Sequence, residues 1–297
     1  MPTTIGVFDS GFGGLTVLRE LLKVMPGADY LYFGDTAHLP YGAKSVRTVA
    51  KYATASARFL EEQGAQMLVI ACNTATALAL DDIRAAVTIP VTGVVEPGSQ
   101  KAAEVSKTRK VAVIATEATI GSHAYAKALR SRGVEAIEKA CPLLVPLIEE
   151  GWVEHPVTEQ VAHIYIDDVF RNGGGTADVL VLACTHYPLI RPLLRKVAPP
   201  NVQIVDSAES TAAKVVECLK NVDATGSGSL RCFTTDSTEK FRGLGGPFLG
   251  RPIQNIELID IEKYQHDFPF RQPHAGAIAP RPSRSAACSA DRLRTFE

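Results

Sequence analysis

One short phrase occurs twice in this chain. Residues 68–76 read LVIACNTAT, and residues 180–188 read LVLACTHYP, with Cys72 and Cys184 112 residues apart. Each is an apolar run the length of a buried strand that ends in Ala-Cys and opens into polar side chains. Earlier strands repeat too: GVFDSG at 6–11 and AVIATEAT at 112–119 place Asp9 and Thr116 107 residues apart. A chain written this way is constrained to fold as two related units. Each carries a thiol at the carboxyl end of an inner strand.

Strand and helix periodicities alternate through both units. Apolar runs predict strands at 5–8, 28–33, 67–71 and 89–95, and helical spacing predicts helices at 15–25, 45–63 and 74–87. The second unit restarts with strands at 110–115, 134–139, 178–183 and 202–205. Its helices fall at 120–132, 156–171, after Pro188 and at 210–219. Two shorter units follow at 230–234 and 256–261, with a helical segment between them. Such alternation implies parallel strands with crossover helices on both faces. The expected class is α/β: two similar domains with mainly parallel sheets flanked by helices, pseudo-twofold related around an interdomain cleft.

Composition matters here for what it excludes. With 31 Lys+Arg against 32 Asp+Glu in 297 residues, nothing global draws the chain directly to nucleic acid or to an anionic membrane. A small-molecule substrate is expected instead. No apolar stretch approaches the ~18 residues of a membrane span. The opening MPTTIGVFDS lacks the marks of an export signal, so a cytoplasmic location is expected. The six cysteines have no CxxC pair and should be free thiols there. Residues 263–297, rich in Arg, Pro, Ala and Ser, are expected to form a flexible tail.

In open α/β sheets, ligands bind beyond the carboxyl ends of strands, where helix N-termini offer free N–H groups. Four polar clusters fall there: Asp9-Ser10-Gly11, Cys72-Asn73-Thr74, Thr116 to Thr119, and Cys184-Thr185-His186. They supply hydroxyls, an amide and backbone N–H groups but no lysine or arginine, which suits a small carboxylate. GFGGLT at 11–16 lacks the third glycine of a dinucleotide loop. Two thiols facing one ligand are an acid–base pair able to invert a carbon, and burial makes a thiolate a stronger base. Asp9 is the candidate relay beside Cys72, and His186 beside Cys184. Singly, these residues have plainer readings: His186 as a hydrogen-bonded core histidine, Asp9 as a helix cap, Glu149 and Glu150 as surface charge, and Tyr41-Gly42 as a turn.

Taken together, FDSGFGGLTVL at 8–18, YFGDTAHLPYG at 32–42, IACNTAT at 70–76, VPLIEEG at 145–151 and LACTHYPLI at 182–190 resemble the glutamate racemases of the aspartate/glutamate racemase family. Weaker likeness runs through VDSAEST at 205–211 and FTTDSTEKF at 233–241. The resemblance implies cofactor-independent interconversion of L- and D-glutamate, supplying D-glutamate for peptidoglycan. Cys72 would act on the D-enantiomer and Cys184 on the L-enantiomer. Asp9 would assist Cys72, and His186 and Glu149 would assist Cys184. Substrate would be held by Asp9, Ser10, Tyr41, Gly42, Asn73, Thr74, Thr116, Thr119, Thr185 and His186. The resemblance further implies no pyridoxal phosphate or metal, a homodimer, and domains at 1–95 plus 208–262 and at 96–207. Some members also bind DNA gyrase. Two departures stand out: the 263–297 tail, and His38 before the Leu-Pro-Tyr-Gly turn.

Other readings divide on simple observations. A related racemase acting on aspartate keeps the two-cysteine plan. A Cys184/His186 thiol hydrolase needs a nucleophile–base contact, although side chains two apart at a strand end tend to diverge. A zinc protein would use Cys72, Cys184 and His186 as ligands. A solute-binding module would share the two opposed units without turnover.

Overall fold

Every strand pairing among the described residues is parallel, and the strands fall into two sheets. The structure is a computed structural model that describes residues 3–172, 176–219 and 228–265. In chain order the strands are β1 (Thr4–Asp9), β2 (Asp29–Gly34), β3 (Met67–Ile70), β4 (Val91–Gly93) and β5 (Lys110–Ala115). They continue as β6 (Glu135–Ala140), β7 (Val179–Ala183), β8 (Gln203–Asp206), β9 (Leu230–Thr234) and β10 (Ile256–Leu258). The first sheet runs β10-β9-β2-β1-β3-β4 and the second β6-β5-β7-β8. The order β2-β1-β3-β4 in one is matched by β6-β5-β7-β8 in the other. The repeat in the sequence is thus a repeat in topology, with β3 and β7, the strands before the two cysteines, in equivalent places.

Helices cover both faces of the sheets, which is why β3 and β7 can be apolar at every position. Ser45 caps the helix Val46–Glu62 by accepting from the Thr48 N–H at 3.3 Å. Ala50, Ala53 and Ala57 on that helix are buried, and small side chains there let it lie close to the strands. Phe59 fills the remaining space, with its ring 5.2 Å from Phe33 and 4.9 Å from Phe233. Phe233 belongs to β9, so a strand from the end of the chain completes the core begun by the first strands.

The structure departs from the sequence expectation in three places. The helix expected at 120–132 is two helices, Glu117–Ser122 and Ala124–Arg130, broken at His123, whose φ of 55° is left-handed. Its ring lies 2.7 Å from the Glu138 carboxylate. Helices Val95–Val105 and Leu144–Glu149, which carry Pro97 and Pro146, have no counterpart among the elements expected from the sequence. Both prolines sit in the first turn, where the missing N–H has no intrahelical partner to lose. The strand expected at 89–95 shortens to β4. All but the first three residues of the segment expected as a tail lie outside the described residues. Cys72, Cys141, Cys184 and Cys232 are free thiols. No helix among the described residues is long and apolar enough to cross a membrane.

One carboxylate pins the entrance of β7 to the turn before β5. Asp178 accepts from Ser106 Oγ at 2.7 Å, the Lys107 N–H at 2.6 Å, the Thr108 N–H at 3.1 Å and Thr108 Oγ1 at 2.9 Å. Burial pushes its pKa up, but the four hydrogen bonds outweigh that and hold it at about 2. A value depressed from 3.8 gives stability that is present above pH 3.8 and lost as pH falls through about 2. Asp178→Ala should lower the melting temperature at pH 7 by about 2–4 °C, the shift expected for a loss near 1 kcal/mol in a chain of this size. Scanning calorimetry should show the difference narrowing as pH is lowered toward 2.

Candidate active site

β1 ends in Asp9, which is completely buried. Its Oδ2 accepts from the Gly11 N–H at 2.9 Å, and its Oδ1 from Thr185 Oγ1 at 3.4 Å. Burial pushes the Asp9 carboxyl up; the His186 charge and these hydrogen bonds temper the rise without reversing it. Beside it, β3 ends and Cys72 caps the helix Asn73–Ala86, its sulfur accepting from the Ala75 N–H at 3.4 Å. The thiol donates to Ser10 Oγ at 3.5 Å. A helix N-terminus ordinarily lowers a thiol. Here burial, followed by the Asp9 charge, wins and pushes Cys72 up to about 12. Cys72 rests as a thiol that becomes a strong base once it loses its proton.

Cys184 is set differently. Past β7 the chain turns at once, the Tyr187 N–H donating to Cys184 O at 3.2 Å, and continues as a 3₁₀ turn, Tyr187–Ile190. That turn overcomes the divergence expected of side chains two apart: His186 Nδ1 lies 3.9 Å from Cys184 Sγ. His186 Nε2 is 3.0 Å from Glu149 Oε1, at the end of the helix Leu144–Glu149. Neighbouring Glu150 is exposed. Burial pushes the imidazole down, but the bonds to Cys184 and Glu149 outweigh it and raise His186 to about 10. At neutral pH the ring is charged and donates from both nitrogens. The first sheet's helix Thr238–Leu249 holds it from the other side, with Phe248 5.2 Å away at 80°.

Both cysteines open on one cavity of about 260 Å³. Ser10, Asn73 and Thr74 line it beside Cys72. Thr116, Glu149, Thr185 and His186 line it beside Cys184, and Tyr41 and Gly42 close it. Asp9 and Thr119 stand behind the wall. Asp9 reaches the wall through Thr185, and Thr119 Oγ1 through Thr74 at 3.1 Å and Thr116 at 3.0 Å. The two sheets meet closely here. Thr16 Oγ1 donates to Thr185 O at 3.0 Å, and a side chain at Gly13 would collide with Thr185 and His186. Gly42 is likewise held against Thr116, where an added Cβ would come within 2.7 Å of the threonine Cβ.

Three features escaped the sequence reading. Asp35, fully buried, accepts from Tyr41 OH at 2.6 Å and Thr235 Oγ1 at 2.8 Å, with His38 Nδ1 2.7 Å away. The Tyr41 hydroxyl is therefore committed to Asp35, leaving the 41–42 backbone as the polar part of that wall. An apolar stretch, Leu39, Pro142, Val145 and Pro146, lines the cavity as well. Tyr125 donates to Asn73 Oδ1 at 2.6 Å, while Asn73 Nδ2 is buried and without a partner among the described residues. Asp35 does lie inside a motif that the sequence reading singled out, YFGDTAHLPYG. Nothing local marked Tyr125. No three His, Cys, Asp or Glu side chains among the described residues are grouped to hold a metal ion, and the zinc alternative finds no cluster to build on.

Two thiols in different surroundings on one small cavity are an arrangement suited to moving a proton across a carbon. Residues 7–215 match the Asp/Glu/Hydantoin racemase family. The chain belongs to this family. It is therefore a racemase, an isomerase by class, as the motifs led one to expect. It is 58% identical to a glutamate racemase of Koribacter versatilis, with 86% of this chain and 97% of that relative covered. Its structure resembles the glutamate racemase of Francisella tularensis solved in complex with D-glutamate. The TM-score is 0.81 at 36% identity, over 88% of this chain and 99% of that one. It also resembles the Escherichia coli glutamate racemase solved with L-glutamate and the activator UDP-MurNAc-Ala. There the TM-score is 0.71 at 26% identity, over 87% and 98%.

Proposed function

We propose that this racemase interconverts L- and D-glutamate by two-base proton transfer at Cα. The observation that carries the reading is that Cys72 and Cys184 share one cavity while their environments differ. In the L-to-D direction, Cys184 as thiolate takes the Cα proton, and the charged His186 stabilises that thiolate beforehand. The Cys72 thiol then delivers its own proton to the opposite face. The reverse direction starts with Cys72 deprotonated, and the buried Asp9, whose charge acts on Cys72, is the candidate acceptor of that proton. Ser10, Asn73, Thr74, Thr116, Thr185 and the 41–42 backbone supply neutral donors for the two carboxylates. Thr119 holds Thr74 and Thr116 from behind.

The relatives' bound ligands favour glutamate over aspartate as substrate. With this reading go the division into domains at 1–95 plus 208–262 and at 96–207, a homodimer, a cytoplasmic location, and D-glutamate destined for peptidoglycan. The 3.9 Å Cys184–His186 contact is also what a thiol hydrolase needs, but that reading gives Cys72 nothing to do. The test is optical and isotopic. Purified protein with D-glutamate in D₂O should bring the circular dichroism signal to zero and place one deuterium at Cα of the L-glutamate formed. An unchanged signal overturns the reading, and an acyl adduct on Cys184 supports the hydrolase.

A further inference from the structure

Asn73 is the first residue of the helix that Cys72 caps, and it lines the cavity. Its amide has one acceptor and two donor hydrogens. The acceptor is occupied by Tyr125, whose hydroxyl lies 2.6 Å from Oδ1. Tyr125 is fully buried in the helix Ala124–Arg130, which packs with the second sheet, whereas Asn73 belongs to the first. Donation from that hydroxyl to Oδ1 holds the amide in one of its two orientations, with its N–H groups turned away from Tyr125. Nδ2 is buried with no partner among the described residues. Buried donors are rarely left so; water, an ion or a ligand normally completes them.

We propose that Tyr125 is a positioning residue that acts across the two sheets, holding the Asn73 amide so that its N–H groups serve a substrate carboxylate. This rests on the glutamate reading. Without the tyrosine hydroxyl the amide is free to turn, and Oδ1 then faces the carboxylate as a repelling acceptor. Recognition of the substrate by the first sheet is in this way conditional on a side chain from the second.

A double-mutant cycle tests it. Tyr125→Phe should raise the KM for glutamate, and the Kd by calorimetry, by about tenfold or more, with a smaller change in kcat. Placed on Asn73→Ala, the same substitution should change neither further. An equal loss in both backgrounds, or unchanged KM and Kd in Tyr125→Phe, overturns the proposal. Asn73→Asp keeps an acceptor for Tyr125 but removes the donors, so it should bind glutamate at least as weakly as Asn73→Ala. Affinity at the native level there overturns the proposal even if Tyr125→Phe proves insoluble. Native protein that inverts glutamate while the cycle shows no coupling sinks this inference alone. Native protein that neither binds nor inverts glutamate sinks the reading beneath it.

Discussion

Cys72→Ala and Cys184→Ala should each reduce glutamate racemisation by at least about a thousandfold, measured by circular dichroism from either pure enantiomer. The two losses arise at different steps. Cys72, pushed up to about 12 by burial and the Asp9 charge, holds its proton at neutral pH and, in the proposed mechanism, is the donor when L-glutamate is the substrate. Without it, a carbanion formed at Cα can be reprotonated only from the face it came from. Cys184 lies 3.9 Å from the His186 ring and is the proposed base in that direction. Without it, the L-enantiomer keeps its proton. Cys72→Ser is the more searching variant, because it keeps the shape and the helix cap and changes only the acidity of the group. Retained turnover in any of these, with an unchanged melting temperature, would defeat the two-thiol scheme.

His186→Gln should lower kcat about a hundredfold, with a much smaller effect on the melting temperature. Glutamine can still donate to Glu149, but it carries no charge with which to stabilise the Cys184 thiolate. The pH dependence fixes the sign. His186 is raised from 6.5 to about 10, so the charged ring persists through neutrality and is lost as pH rises through about 10. Any stability it confers is complete below pH 6.5 and disappears over the same upper range. The L-to-D rate of the native protein should therefore fall on an alkaline limb near pH 10, and that limb should be missing in His186→Gln. An alkaline limb of the same position in the variant would assign it to another group.

Much of this site was legible because strand-end residues are fixed by topology. Once β1, β3, β5 and β7 are recognised as inner parallel strands, Asp9, Cys72, Thr116 and Cys184 must gather at one kind of edge. What the sequence could not show is which of those residues face the cavity. Asp9 and Thr119 are polar like much of the wall, yet stand one layer behind it, a distinction made by packing between the sheets. Tyr125 and Asp35 were hidden for a related reason, since each acts through a partner 52 or 6 residues away that no local pattern links to it. Two helices absent from the expected elements, Val95–Val105 and Leu144–Glu149, each carry a proline that first-turn geometry accommodates.

The strand order has a bearing on synthesis. β2 pairs with β9, and β9 with β10, strands that leave the ribosome only after all of the second sheet. A nascent chain ending near residue 220 has every strand of one sheet but leaves the β2 edge of the other bare. Such an edge is open to pairing with a neighbouring chain. Phe248, which steadies the imidazole, arrives in that same final stretch. A truncated product therefore combines an open sheet edge with a His186 ring that lacks its aromatic neighbour.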